Sequence, residues 1–149
     1  MGFGGVSGRL NRSQALEVWH GVMLDGVTSD APDLSARQVA ILTSVYLHEG
    51  PHTVRSLAKS LGVTKAVVTR ALDTLAGYDY LRRADDPRDG RSVVVNRTAK
   101  GSQYLSRLGD TILQTLKIVK MKGERDAVQA ARADGTTATA ASAATATVA

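Results

Sequence analysis

The chain has 149 residues, a length at which one domain with a modest hydrophobic core is expected. Nineteen lysines and arginines against fourteen acidic residues give a formal net charge of +5, which favours an anionic partner. The absence of cysteine excludes a disulfide, a thiolate-bound metal and a thiol redox switch, and without a long apolar run or a signal-peptide pattern we expect a soluble, cytoplasmic protein with no membrane association.

The N-terminal region predicts a flexible start and one amphipathic helix. Residues 1–12 are rich in glycine, and we expect them to be flexible. Ser13 is the expected cap of a helix over residues 14–24, which Asp25 and Gly26 would end. Apolar side chains recur on one face of this helix at spacings of three and four: Leu16, Trp19 and Met23.

A second helix is predicted from Ser35 to about His48. Ser35 and Gln38 have the spacing of a capping box, and Leu34 can pack on Val39 as a hydrophobic staple. Three apolar residues are expected to point inward from this helix: Ile41, Leu42 and Val45. The predicted end lies just before a Gly-Pro pair, which does not continue a helix.

Residues 53–72 have the pattern of a helix-turn-helix. Thr53 can cap the first helix, Gly62 supplies the left-handed backbone of a tight turn, and Thr64 can cap the second helix. From residue 50 to residue 72 there is no acid but there are four cations, a bias that phosphate binding favours: Arg55, Lys59, Lys65 and Arg70. Five short or cationic residues are candidates for the side of the second helix that enters a DNA groove: Thr64, Lys65, Ala66, Thr69 and Arg70.

The end of this second helix can be interpreted in two ways. Its buried stripe is expected to finish at Leu75, after Val68 and Leu72. Either Gly77 ends the helix early, or Asp79 takes a left-handed backbone conformation, which aspartate tolerates. The pattern leaves both endings open.

A β-hairpin with a cationic tip is predicted next. Residues 81–83 and 92–96 are short strand-like runs, and residues 85–90 have turn chemistry. Arg88 and Arg91 would lie at or beside the tip, where cations suit contact with a minor groove or with phosphate. Two acids are available to brace these arginines: Asp86 and Asp89. The alternative is an ordinary salt-bridged turn that occupies at least one of the two arginines.

A long last helix is predicted from Thr98, as its cap, to about Lys122. Its apolar face needs cover on more than one side: Leu105, Leu108, Ile112, Leu116 and Val119. A partner subunit could supply that cover, or the helix could fold back onto the helix that carries Trp19, and both can hold together. We favour a dimer because two-fold pairing is the commonest oligomer.

The segment after this helix predicts a low-complexity tail over residues 123–149. Residues 124–132 could extend as a short helix. From Asp134 onward the sequence is almost wholly alanine and threonine, with no large aliphatic or aromatic residue.

Several of these motifs together resemble the MarR-type winged helix-turn-helix regulators, over roughly residues 34–108. The resemblance begins with Leu34-Ser35-Ala36-Arg37-Gln38-Val39-Ala40-Ile41-Leu42 and continues through Leu61-Gly62-Val63-Thr64 and Val68-Thr69-Arg70. Its most specific part is Asp86-Pro87-Arg88-Asp89-Gly90-Arg91, which is similar to the D-x-R-D-x-R wing motif of the family. Thr98-Ala99-Lys100-Gly101 completes it.

The resemblance implies a mainly α fold with a small β-hairpin wing (α+β) and terminal dimerisation helices. It also implies a homodimer, palindromic DNA and, often, repression relieved by a small-molecule effector. The family places such an effector in the cleft between the wing domain and the dimerisation helices, and three residues here would line it: Trp19, Tyr46 and His48. On this basis residues 13–33 and 98–122 are assigned to dimerisation and residues 34–97 to DNA binding.

The sequence therefore predicts a sequence-specific transcriptional regulator, a repressor, that binds double-stranded DNA as a homodimer. Eight residues are the expected DNA-binding residues: Arg55, Thr64, Lys65, Ala66, Thr69, Arg70, Arg88 and Arg91. The alternative is a winged-helix module that binds other proteins inside a larger complex, since a fold does not determine a function.

The histidines permit one further alternative, a metal sensor. His48 and His52 flank Glu49, but capping or surface roles suit these histidines better because there is no cysteine and no tight ligand cluster. No Ser-His-acid constellation and no paired carboxylates suggest catalysis. We therefore expect neither an enzyme nor a bound metal or cofactor.

Overall fold

The computed structural model describes residues 9–143, with the side chains of residues 9–135. These residues divide into two compact units, one of residues 25–110 and one of residues 9–24 with residues 111–143. The helices and strands in chain order are α1 (Arg12–Thr28), α2 (Ala36–Leu47), β1 (His52–Thr53), α3 (Val54–Leu61), α4 (Lys65–Gly77), β2 (Leu81–Asp86), β3 (Asp89–Arg97) and α5 (Ala99–Ala143).

The unit of residues 25–110 is a helical core with a small sheet at its side. Both α2 and α3 pack against α4. Ile41, Leu42 and Val45 are fully buried, which confirms the predicted inward face of α2. They join one hydrophobic cluster with residues of α3, α4 and the sheet: Leu57, Ala58, Val68, Ala71, Leu72, Leu75, Tyr80, Leu81 and Val95.

The predicted helix caps of this unit are confirmed. Ser35 forms a capping box with Gln38, and Thr53 forms one with Ser56. Gly62 has φ +64°, the left-handed conformation that the turn between α3 and α4 requires. The side chain of Thr64 then caps α4.

The structure resolves the two endings that the sequence left open for α4. Gly77 is still helical, and Asp79 takes the left-handed conformation with φ +58°. The N–H of Tyr80 donates to the carbonyl of Leu75 and the N–H of Asp79 to that of Ala76, both at 2.9 Å, which is the Schellman arrangement. Gly77 is therefore the last helical residue, and Asp79, two residues later, supplies the left-handed conformation that stops the helix.

A three-stranded antiparallel sheet, in the order β1-β3-β2, forms the wing. Asp86 pairs with Asp89, so a two-residue loop closes the hairpin and the strands are longer than the predicted runs. β1 was not predicted. His52 and Thr53 pair with Val95 and Val94, and two residues are too few to show a strand period.

The ends of α1 differ from the prediction. The side chain of Asn11 accepts a hydrogen bond from the N–H of Gln14 at 2.9 Å, and the side chain of Gln14 accepts one from the N–H of Asn11 at 3.0 Å. Asn11 is therefore the cap and the prediction of Ser13 was wrong, because both residue types cap well and the reciprocal glutamine selects Asn11. The predicted end at Asp25 and Gly26 was also wrong, since α1 continues to Thr28.

The prediction that α5 ends near Lys122 was wrong. Thr98 caps its start as expected, accepting a hydrogen bond from the N–H of Gly101 at 3.0 Å, but the helix runs on to Ala143. Alanine has the highest helix propensity, and one internal glycine costs only about 1 kcal/mol, so the alanine-rich segment continues the helix. Residues 1–8 of the predicted flexible start and residues 144–149 of the predicted tail lie outside the described residues.

The second unit packs the start of α1 against the middle of α5. Val22 and Val119 are buried in it, and the ammonium of Lys122 lies 3.2 Å from the carboxylate of Glu17. One side of α5 is thus covered within the chain, as one of the two sequence alternatives required. Among the described residues, no helix is long and apolar enough to cross a membrane.

Candidate nucleic-acid interface

The face of α4 that points away from the core carries the predicted groove-facing residues. Val68 and Leu72 are fully buried, and Lys65, Ala66 and Arg70 are exposed on other sides of the helix. Across the described residues, neither Lys65 nor Arg70 forms an ion pair. Their charges are therefore available to an external anion.

The two threonines of this face are partly engaged within the helix. The hydroxyl of Thr64 accepts the N–H of Val67 at 3.4 Å, and that of Thr69 donates to the carbonyl of Lys65 at 3.0 Å. Thr64 is exposed and Thr69 is half-buried. Their methyl groups and remaining lone pairs can still meet a base edge or a phosphate donor.

The wing tip holds its arginines through the backbone. A carboxylate oxygen of Asp86 accepts the N–H of Arg88 at 2.9 Å. Asp89 accepts the N–H of Arg91 at 3.1 Å and the hydroxyl of Ser92 at 2.9 Å. The two acids brace the turn as expected, but they do so at the backbone and not at the guanidinium groups.

Arg88 and Arg91 are both exposed, and within residues 9–135 neither guanidinium forms an ion pair. The alternative of a salt-bridged turn therefore does not describe this tip. One guanidinium group lies in the two-residue loop and the other at the start of β3, an arrangement that suits contact with phosphate or a minor groove.

The stem of the wing pairs its arginines instead. The Nε of Arg82 lies 3.2 Å from the carboxylate of Asp79, and Arg83 on β2 forms an ion pair with Asp73 on α4. These pairs were not predicted from the sequence. Asp73 and Arg83 are ten residues apart in different elements, so no local pattern connects them.

Another arginine that was not predicted from the sequence to make contacts, Arg97, anchors the base of the sheet. Arg97 at the end of β3 donates to the carbonyl of Val45 at 2.9 Å and to that of His48 at 2.8 Å. Its guanidinium also lies 5.7 Å from the ring centre of Tyr46. Arg97 thereby satisfies carbonyls that the C-terminal end of α2 leaves unpaired.

The eight predicted DNA-binding residues fall in three places. Five lie on α4 or at its cap, two lie at the wing tip, and Arg55 is exposed in the first turn of α3. All eight belong to the unit of residues 25–110.

The three predicted effector residues are distributed differently. Tyr46 is half-buried, and its hydroxyl is hydrogen-bonded to backbone groups at Thr98. His48 is the C-terminal cap of α2, and it lines a cavity of about 420 Å³ with His52 and Ser56. Trp19 belongs to the other unit and is 61 % exposed. The effector site itself stays a prediction.

Two of the three histidines, His48 and His52, are joined by a hydrogen bond. The Nε2 of His52 lies 3.1 Å from the carbonyl oxygen of His48. Among the side chains that the structure describes, no three histidines or carboxylates come together as metal ligands. The geometry therefore offers the metal-sensor alternative no support.

Comparisons with known proteins agree with this geometry. The model of the MarR family matches residues 34–93. A curated relative, the uncharacterized HTH-type transcriptional regulator YkoM of Bacillus subtilis (strain 168), is 32 % identical over 71 residues, which are 48 % of this chain and 46 % of that protein. The match thus spans about half the length of the curated relative.

Two solved structures share the fold. A mutant of S. aureus MepR has a TM-score of 0.62 at 17 % identity, covering 87 % of this chain and 99 % of that one. S. aureus MepR in a DNA complex has a TM-score of 0.58 at 18 % identity, covering 80 % and 92 %. These likenesses confirm the predicted mainly α fold with a small sheet.

Proposed function

We propose that this chain, whose residues 34–93 match the model of the MarR family, is a sequence-specific transcriptional regulator that binds double-stranded DNA and acts as a repressor. One observation carries the proposal. An acid-free, cationic turn at the start of α4 belongs to the same compact unit as a wing tip whose two guanidinium groups form no ion pair among the described residues.

The two parts would contact DNA in different ways. The first turns of α4, from Lys65 to Arg70, would enter a major groove, which at about 12 Å wide admits one helix. Arg70 would read base edges there, while Arg88 and Arg91 would contact the flanking minor groove or backbone. The remaining proposed contacts come from the cap, the same helix and α3: Thr64, Lys65, Ala66, Thr69 and Arg55.

Exposed apolar side chains support a homodimer. In the described part of the unit built from α1 and α5, four large apolar side chains are more than 60 % exposed: Leu16 at 67 %, Trp19 at 61 %, Leu113 at 64 % and Ile118 at 63 %. An apolar surface of this kind is typical of an interface between subunits. Two-fold pairing would match a palindromic operator with half-sites about one helical turn, roughly 34–36 Å, apart.

A small-molecule effector that relieves repression and a cytoplasmic location belong to the same proposal. The family resemblance supports both. Trp19, Tyr46 and His48 are the residues proposed to take part in effector binding.

Selection of bound duplexes from a random DNA pool tests the proposal. The full chain is used at about 150 mM salt, where charge interactions beyond roughly 8 Å are screened and weak phosphate-only binding is suppressed. Enrichment of an inverted repeat supports both specific reading and two-fold assembly. Binding without an enriched sequence contradicts sequence specificity, and no binding at all favours the protein-interaction module.

A further inference from the structure

An acidic residue lies on the α4 face that is proposed to meet DNA. At about 100° per residue, Asp73 falls nearly in line with Ala66, seven residues earlier, and close to Arg70, three residues earlier. Its side chain is 54 % exposed. An unpaired carboxylate at this position would repel the phosphate backbone, so its presence on a cationic face requires an explanation.

The partner of Asp73 is Arg83, on the first strand of the wing. The side chain of Arg83 is 35 % exposed, so it can reach solvent, yet its guanidinium is held by an acid on the neighbouring helix. Arg82 is held in the same way by Asp79. The arginines of the wing thus differ in their partners. On β2, Arg82 and Arg83 are paired with acids, and at the end of β3 Arg97 donates to backbone carbonyls. At the tip, Arg88 and Arg91 form no ion pair among the described residues.

We propose that Asp73 holds Arg83 away from the DNA backbone and thereby limits the sequence-independent part of DNA binding. The inference rests on the proposed function. Each phosphate that a cation neutralises strengthens binding to any sequence and makes it more salt-dependent. Because the side chain of arginine is long and flexible, a free guanidinium can reach a phosphate wherever the protein lies along the DNA. A complex in the specific register is already fixed by base contacts.

Freeing Arg83 would therefore strengthen binding to unrelated DNA more than binding to the operator. Asp73 would act on specificity without touching a base. Its effect would come from engaging the guanidinium of Arg83 in an ion pair. It would not come from stabilising the fold, because an exposed ion pair contributes little to stability.

A double-mutant cycle in the full chain tests this inference. Asp73→Asn, Arg83→Gln and the double variant are compared with wild type on the enriched duplex and on an unrelated duplex of equal length, across a range of salt. For Asp73→Asn we expect tighter binding to the unrelated duplex, a salt slope steeper by about 0.9, which corresponds to one more phosphate contact, and a lower ratio of specific to non-specific affinity. Arg83→Gln alone should weaken binding to both duplexes, because it leaves the carboxylate of Asp73 unpaired on the face proposed to meet the phosphates. In the Asp73→Asn background it should reverse the gain.

Asp85→Asn is the matched control. Asp85 is an exposed acid on the same wing, and among the described residues it has no ion-pair partner, so this variant removes one negative charge without freeing an arginine. Equal effects of Asp85→Asn and Asp73→Asn would show that net charge alone is responsible and would overturn the inference. Retention of the gain in the double variant would also overturn it, because the tighter binding of Asp73→Asn would then not depend on Arg83.

The binding data distinguish a failure of the proposed function from a failure of the inference about Asp73. If the wild-type chain binds neither duplex, the proposed function fails and the inference falls with it. If the wild type prefers the enriched duplex and Asp73→Asn behaves as Asp85→Asn does, only the inference fails.

Discussion

The hydroxyl of Tyr46 accepts a hydrogen bond from the backbone N–H of Thr98 at 2.8 Å. The same hydroxyl lies 2.9 Å from the carbonyl oxygen of Tyr80 and 3.0 Å from that of Thr98, and it can donate its proton to either. Tyr46 is on α2, Tyr80 precedes β2, and Thr98 caps α5. One phenol therefore joins three elements of the unit of residues 25–110.

Removing this hydroxyl should destabilise the unit. Tyr46→Phe leaves the N–H of Thr98 and at least one carbonyl without that partner in a half-buried site, and the general cost of such a loss is about 1–3 kcal/mol. Urea denaturation followed by circular dichroism would measure the change in the free energy of unfolding.

Tyr78→Phe is the control for this substitution. Tyr78 is 37 % exposed, and in the part of the chain that the structure describes its hydroxyl makes no hydrogen bond. Its loss should change the free energy of unfolding by less than about 0.5 kcal/mol, as for most surface substitutions. Equal effects of the two variants would contradict the role given to Tyr46.

Gly101 should not tolerate a side chain. A Cβ at this position would collide with the carbonyl of Tyr80 and the hydroxyl of Tyr46, so Gly101→Ala should destabilise the unit by about 1–3 kcal/mol or more. Gly109→Ala, in the same helix, meets nothing within 4 Å and should stabilise the helix by up to about 1 kcal/mol. Thermal melting of both variants would show shifts of opposite sign, and a stabilised Gly101→Ala would contradict the packing.

Arg70 and Arg91 should affect DNA binding differently. Arg70→Ala should weaken binding to the enriched duplex by about 1–3 kcal/mol and relax base preference, because Arg70 is proposed to read bases. Arg91→Ala should weaken binding to all sequences and reduce the salt slope by about 0.9, as the loss of one phosphate contact does. Titrations at several salt concentrations distinguish the two, and an unchanged base preference in Arg70→Ala would contradict its assignment.

Stability should fall at alkaline pH through one buried and one half-buried phenol, Tyr80 and Tyr104. Burial raises the pKa of Tyr80 and of Tyr104 above the ordinary value of 10.0, and the nearby Arg107 partly offsets the rise for Tyr80. Above pH 10 the unfolded chain loses these protons before the folded chain does, so the free energy of unfolding decreases from pH 10 until the folded-state pKa values are passed. Denaturation between pH 8 and about 11 should show a smaller decrease in Tyr104→Phe than in wild type, and identical slopes would contradict the prediction.

Trp19 is the one tryptophan of the chain and would report the proposed dimerisation. It is 61 % exposed here, so a dimer that covers α1 would shift its fluorescence to the blue, and dilution would reverse the shift. Leu113→Glu should give the diluted spectrum at all concentrations, whereas Gln114→Glu adds the same charge at an exposed polar position and should not. Sedimentation as a monomer at every concentration would contradict the dimer.

Local chemistry allowed much of the domain of residues 34–97 to be predicted. The capping boxes of Ser35 and Thr53, the left-handed Gly62 and the turn at the wing tip each depend on residues within a few positions of one another. The buried stripe of α4 follows from its helical period. The same patterns located the exposed cationic side chains of α4 and the tip arginines.

The ends of the long helices were less predictable. Asn11 and Ser13 are both good caps, and alanine-rich sequence neither demands nor forbids a helix beyond Lys122. Small differences in free energy decide such boundaries.

Only the tertiary structure decided which partners the distant side chains take. The sequence by itself determined a helix with a cationic exposed face and a braced wing tip, because turn geometry and helical period act over a few residues. The pairing of Arg83 with Asp73, the anchoring of Arg97 on α2 and the bonds from Tyr46 to Thr98 join residues 10 to 52 positions apart. Such contacts depend on how the elements pack, since packing sets which donor and acceptor come within about 3 Å, and no local pattern carries that information.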